Sequence, residues 1–241
     1  MLPEDAARAS SDVVVQLPAA FMLDGATYAR GGRLGFEGVD FYVAGRGGAL
    51  GDVGGEVVAA AFVFFNPATV IEGWDRSRAV MPRREATAAF VGCLATWASE
   101  HLGEGVEWGR LGALCGRILD AASPAAAPLF AAWRAVPEPV EPRALALQRL
   151  NVLRELRGAV HGAAVVASGL EPLEAVLVRT PFMAPVFGWP EPYPDVTRCR
   201  PAWEHAEAAT NRVLARAYGA LDGAELDEFV ELAALAQKGA A

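Results

Sequence analysis

The sequence predicts an all-α protein, and three observations carry that prediction. Long windows such as "REATAAFVGCLATWASEHLG", "WGRLGALCGRILDAAS" and "PAAAPLFAAWRAV" are rich in helix formers and space their apolar residues at helical rather than alternating intervals. Proline clusters, "PEPVEP" at 137–142 and "TPFMAPVFGWPEPYPDV" at 180–196, interrupt the helical pattern, because proline denies helix to itself and to the residue before it. Hydrophobic residues make up 53% of the 241, enough for a real core in one large or two small domains.

The chain begins with the acidic "MLPEDAARASSD", which has no apolar leader segment, and no run reaches membrane-span length without glycine or charge. Neither a targeting signal nor a membrane span is expected. From Gly45 to Gly55 six glycines precede an apolar run. They miss the dinucleotide fingerprint, because Gly45 and Gly47 are followed at the sixth position by Leu50, and they miss a P-loop, because Glu56 rather than lysine follows Gly55. The expectation is a flexible loop ending near Asp52, which caps a buried helix from Val53 to Phe65. Around this loop Tyr42, Arg46, Asn66 and Trp74 are candidate ligand-binding residues. Competing readings are that Arg46 neutralises Asp52 or Glu56, and that Asn66 caps a helix beginning at Pro67.

Charge and cysteine usage narrow the chemistry further. Lys238 is the only lysine, against twenty arginines, so Schiff-base and pyridoxal phosphate chemistry have no residue to use and no cofactor is expected. The net charge of −8 makes nucleic acid and anionic membrane poor partners. Cys93, Cys115 and Cys199 are widely spaced and contain no Cys-x-x-Cys, which fits a reducing cytoplasm, and Cys93 and Cys115 lie on apolar helical stretches that suit packing roles. No metal site is expected: His101 with Glu104, and His205 with Glu204 or Glu207, have helical spacing but form no His-Glu-x-x-His motif.

Beyond the first proline cluster, a continuous helix over 147–168 places Arg154, Arg157 and His161 within an arc of about 60° while Val152, Leu153, Leu156 and Val160 cover the core face. Two guanidiniums and an imidazole on one flank suit a carboxylate or phosphate, with His161 as the candidate catalytic residue because it can move a proton near neutral pH. The competing reading is a solvated face on which the arginines pair with Glu155 or neighbouring acids. In the second proline cluster Phe182, Phe187 and Trp189, with Met183, Val186 and Tyr193, are too apolar for a solvated linker. They form either a pocket wall or a plug for the core or a dimer seam.

"HGAAVVASGLEPLEAVL" has the helix, glycine turn, helix pattern of a helix-turn-helix, with Gly169 in the turn. Together with "FYVAGRGGALGDVGGEVVAAAFVFFNPATV" and "LRELRGAVHGAAVVASGLEPLEAVL" it resembles the actinobacterial family labelled helix-turn-helix, over most of residues 34 to 238. The ending "EAATNRVLARAYGALDGAELDEFVELAALAQ" is similar to the terminal helices of MarR-type winged-helix regulators. The resemblance implies an N-terminal helical domain (12–136) and a degenerate winged-helix-like helical domain (143–241) that dimerises through its terminal helices. One departure from the regulators stands out. After Gly188 and Trp189, where a full winged helix has a recognition helix and a β-wing, this chain has only "PEPYPDVTRCRPAW", fourteen residues with four prolines. Those residues cannot supply a helix of about eleven residues and two strands.

The reading that follows is a cytoplasmic, homodimeric binder of a small, largely apolar organic molecule. It would be a cofactor-independent enzyme or an accessory protein of specialised metabolism, with its pocket where the two halves meet. The alternative is a MarR-like, ligand-responsive transcriptional regulator, and a third reading is a purely structural dimer partner.

Overall fold

Helices and no β-strand make up the fold among the described residues, 1–240, of the computed structural model. In chain order they are α1 (Pro3–Ala9), α2 (Ser11–Leu23), α3 (Gly25–Leu34), α4 (Asp40–Gly47), α5 (Gly55–Phe62), α6 (Pro67–Ser77), α7 (Arg83–His101), α8 (Trp108–Ala121), α9 (Pro128–Trp133) and α10 (Pro142–Ala167). After the last come α11 (Pro172–Arg179), α12 (Arg200–Tyr218) and α13 (Gly223–Lys238).

The centre of the molecule is α10. Its start is set by Glu141, whose carboxylate accepts from the Ala144 N–H, and by Pro142 in the first turn, where a missing N–H costs nothing. Its end is set by Gly169 at φ +78°, which lets the Leu170 N–H turn back to the Val165 carbonyl. Between these caps Leu147, Leu150 and Leu153 are fully buried, each stabilising the fold by about 2 kcal/mol through removal from water. The helix touches α2, α7, α8, α9, α11 and α12. One buried cluster runs from Ala6 to Ala236, so residues from both sides of the 137–142 proline cluster share a core. Gly169 is also the turn between α10 and α11, which are bent by 109°, the angle range of a helix-turn-helix.

The glycine-rich stretch is a packing device. An added Cβ at Gly45 would sit 2.5 Å from the Phe90 ring, and one at Gly48 would sit 2.2 Å from the Arg83 carbonyl, so α4 and the short 3-10 turn after it lie directly against α7. The helix expected from Val53 to Phe65 is shorter. Its cap is Gly54 rather than Asp52, and it stops at Phe62 because Val63 takes φ +48°. Asn66 does cap α6, accepting from the Ala68 N–H at 2.9 Å.

The C-terminal helices hide their apolar faces within the chain. Tyr218, Leu226, Phe229, Ala233 and Ala236 are buried, with α12 and α13 packed on α1, α2, α8 and α10, and a capping box of Asp222 and Glu225 starts α13. The apolar faces of these helices are therefore largely covered by the chain's own N-terminal helices. Between Met183 and Arg200 neither helix nor strand forms. No single helix among the described residues is long and apolar enough to cross a membrane.

Candidate functional site

A pocket of about 470 Å³ opens where α2, α4, α10, α11 and α12 converge. One wall is charged and comes mainly from α10; the other is aromatic and comes from two irregular segments.

The aromatic wall depends on Val63. At φ +48°, ψ −64° this valine makes a tight γ-turn, with the Phe64 N–H returned to the Phe62 carbonyl, a conformation unfavourable for a β-branched residue. The turn fans Phe62, Phe64 and Phe65 around the cavity. The 180–196 segment is stapled onto it by backbone groups: the Asn66 N–H donates to the Phe187 carbonyl at 2.9 Å, and the Trp189 indole N–H donates to the Phe64 carbonyl at 2.9 Å. Phe187 thereby lies over Phe65, with ring centroids 4.3 Å apart, and Trp203 of α12 closes the wall.

On the charged wall, Arg46 of α4 reaches Glu155 of α10 with Nε to Oε1 and Nη2 to Oε2 both at 2.8 Å, a bidentate pair in which Glu155 is 1% exposed. Burial would lower the Arg46 pKa, but the facing carboxylate outweighs it and the guanidinium is held above its ordinary value. By the same balance burial would raise the Glu155 pKa, and Arg46 with Arg154 holds it below the usual carboxylate range. Arg154 donates Nη1 to Glu155 at 3.0 Å, while its buried Nε has no partner among the described residues. Arg157 donates to Glu207 of α12 at 2.7 Å and to Asn211 at 3.3 Å, and Arg179 pairs with Asp12 at the rim. Two arginines thus share Glu155 while the others have one carboxylate each, which leaves one positive charge on this wall.

His161 lies at the far end of the same wall. Its Nδ1 is 3.0 Å from Thr210 Oγ1 and its Nε2 is 3.5 Å from Glu207 Oε1, with Phe64 and Trp203 flanking the ring. Burial, helped by Arg157, lowers its pKa to about 4 against the opposing pull of Glu207, so the imidazole is neutral at pH 7.

The expected residues divide into two groups. Arg46, Arg154, Arg157, His161 and Phe187 all line the pocket. Tyr42, Asn66, Trp74, Phe182 and Trp189 do not. Tyr42 lies behind Arg46 and accepts from its Nη1 at 3.3 Å. Asn66 is a cap, and Trp189 is a staple. Trp74 is fully buried, donating to the Val53 carbonyl and stacked 3.6 Å beneath Arg83, whose own Nη2 returns to the Trp74 carbonyl. Phe182 points outward and is 72% exposed. Arg46 has neither of its expected partners, because Asp52 reaches Arg78 instead. Among the pocket residues that the sequence did not single out are Phe62, Phe64, Phe65, Trp203 and Arg179; Glu207, which also lines it, and Glu155 behind it had been read only as a weak metal ligand and a local ion-pair partner. Of these, only the "FVFF" repeat of aromatics beside Asn66 offered a signal. Cys115 is fully buried, which pushes its thiol up to about 12 and fits the packing role expected for it.

A model of the helix-turn-helix family matches residues 7–199. The match ends just before α12, so it includes every pocket wall except the one that carries Trp203 and Glu207. No curated protein matches the chain, and no solved structure does.

Proposed function

We infer that this chain, which belongs to the helix-turn-helix family, binds a small, largely apolar organic molecule carrying one anionic group. The observation that carries this reading is Arg154: a guanidinium that shares Glu155 with Arg46 and so leaves one surplus positive charge on a wall that faces aromatic rings. Such a wall pairing suits a carboxylate attached to an apolar ring or chain, since the rings desolvate the contact and the guanidinium answers the charge. A cytoplasmic setting is supported by the three free cysteines. Homodimerisation is proposed on weaker ground, the exposed Val213 and Leu235 of α12 and α13.

A second reading, a MarR-like regulator whose ligand modulates DNA binding, is favoured by the family and by the 109° turn between α10 and α11. Against it, the only basic residue of α11 is Arg179, already paired with Asp12, and the segment from 184 to 199 offers no helix or wing to read a groove.

The test of the leading reading is calorimetric titration with 2-naphthoate and with its neutral amide. Binding of the acid at least about tenfold tighter than the amide supports an anion site. Equal affinities would remove Arg154 from the account, and no binding of either would overturn the reading.

A further inference from the structure

Two contacts and the neutral state of the ring assign the hydrogen atoms around His161. Thr210 Oγ1 lies 2.7 Å from the carbonyl oxygen of Ala206, a group with no hydrogen of its own, so the threonine hydroxyl must donate there. The same oxygen is therefore an acceptor for the imidazole 3.0 Å away, and Nδ1 must carry the hydrogen. In the neutral ring this leaves a lone pair on Nε2, directed to the side of Glu207 Oε1 at 3.5 Å. The other oxygen of Glu207 receives Arg157 at 2.7 Å, and a carboxylate offers no hydrogen. Two acceptors therefore lie 3.5 Å apart in the wall of the pocket. The groups that face His161 include Thr210 and Glu207 from α12, Arg157 from its own helix, and the rings of Phe64 and Trp203.

Resting on the reading that Arg154 takes an anion, we propose that His161 Nε2 and Glu207 Oε1 form a paired acceptor for a ligand hydroxyl, so that the molecule bound is an elongated aromatic hydroxy acid. The hydroxyl donates its one hydrogen into the pair while the carboxylate lies on Arg154. Residues 154 and 161 are seven apart, on one helix face and about 10 Å apart along the axis, which sets the separation of the two polar ends. The phenylalanine fan of the Val63 turn covers the apolar middle. A molecule with an acceptor, such as an ether or ketone, at the far end would add a third lone pair to two and be refused.

Two measurements on the full chain test this. Nitrogen-15 spectra of the ligand-free protein at pH 7, with the His161 signals assigned through His161→Leu, are expected to show a protonated Nδ1 and an unprotonated Nε2. An imidazolium, or the opposite tautomer, overturns the proposal. Calorimetry then compares 6-hydroxy-2-naphthoate, 6-methoxy-2-naphthoate and 2-naphthoate. The hydroxy acid is expected to bind about tenfold tighter than the other two, and His161→Leu to bring that ratio close to one. Three equal affinities overturn the paired acceptor and leave the anion site standing. If none of the three binds, the anion site falls with it.

Discussion

Arg46 and Glu155, 109 residues apart, meet through two parallel hydrogen bonds of 2.8 Å and tie α4 to α10 behind the charged wall of the pocket. Removing one partner leaves the other charged and buried, so Arg46→Ala or Glu155→Ala is expected to cost about 3 to 5 kcal/mol, read from urea denaturation. The double change Arg46→Met, Glu155→Leu is expected to recover part of that loss, since the apolar pair needs no compensation while Arg154 loses its carboxylate. A double variant as unstable as the worse single variant would show that the pair is not the cause.

His161 makes stability depend on pH. Its pKa lies at about 4 in the folded chain against an ordinary 6.5, so the unfolded chain takes up the proton first as pH falls. Its contribution is fully present above pH 6.5 and is lost progressively down to pH 4, by about 3 kcal/mol in total. His161→Phe keeps a ring but does not titrate, and is expected to flatten the fall in urea midpoint between pH 6.5 and 4.5. An unchanged slope in that window would place the imidazole's pKa near its ordinary value.

Two glycines of the 45–55 run are expected to resist substitution for steric reasons. Gly45→Ala would drive a methyl into the Phe90 ring and Gly48→Ala into the Arg83 carbonyl, and each is expected to cost about 1 to 3 kcal/mol. Gly51, where a Cβ meets nothing within 4 Å but φ is +81°, is expected to be sensitive only through its backbone. Thermal midpoints of the three variants rank these effects, and full tolerance at Gly45 would contradict the close approach of α4 to α7.

Trp74→Ala is expected to cost about 3 to 5 kcal/mol by cavity formation and loss of the Arg83 stack, with no change in ligand selectivity, because the ring is buried away from the pocket. A selective loss of binding in a protein of unchanged stability would return Trp74 to the site.

Residues on one helix were the legible part of this molecule. The spacing of 154, 157 and 161 follows from the helical repeat alone, and the all-α class follows from the same periodicity and from prolines at helix starts such as Pro67 and Pro142. Contacts between distant segments were not legible. Glu207 meets Arg157 across fifty residues, and nothing local marks it as different from Glu204. The phenylalanine fan was hidden because a valine at φ +48° goes against its own preference; an apolar run ending in "FVFFN" reads as continuous helix until packing against Gly162 and the 187–189 staples override it. Glycine composition was ambiguous in the same way, since a close helix crossing and a phosphate loop both call for a missing Cβ.

Arg154 is the residue on which ligand binding should turn. Arg154→Ala is expected to weaken binding of an aromatic carboxylate by about 2 to 4 kcal/mol, and Arg154→Lys to restore part of it, since a lysine supplies the charge without the planar fork. Equal titration curves for the three proteins would mean that the surplus charge is answered by solvent.

Native mass spectrometry of the protein as purified, compared with Arg154→Ala, tests the central claim most directly, because it asks whether the pocket retains an organic anion from the cell. The account predicts an adduct on the wild-type chain that is released on denaturation, ionises as an acid, and is absent or much reduced on the variant. An adduct held equally by both proteins, or one that proves to be a cation or an uncharged polar molecule, would contradict it.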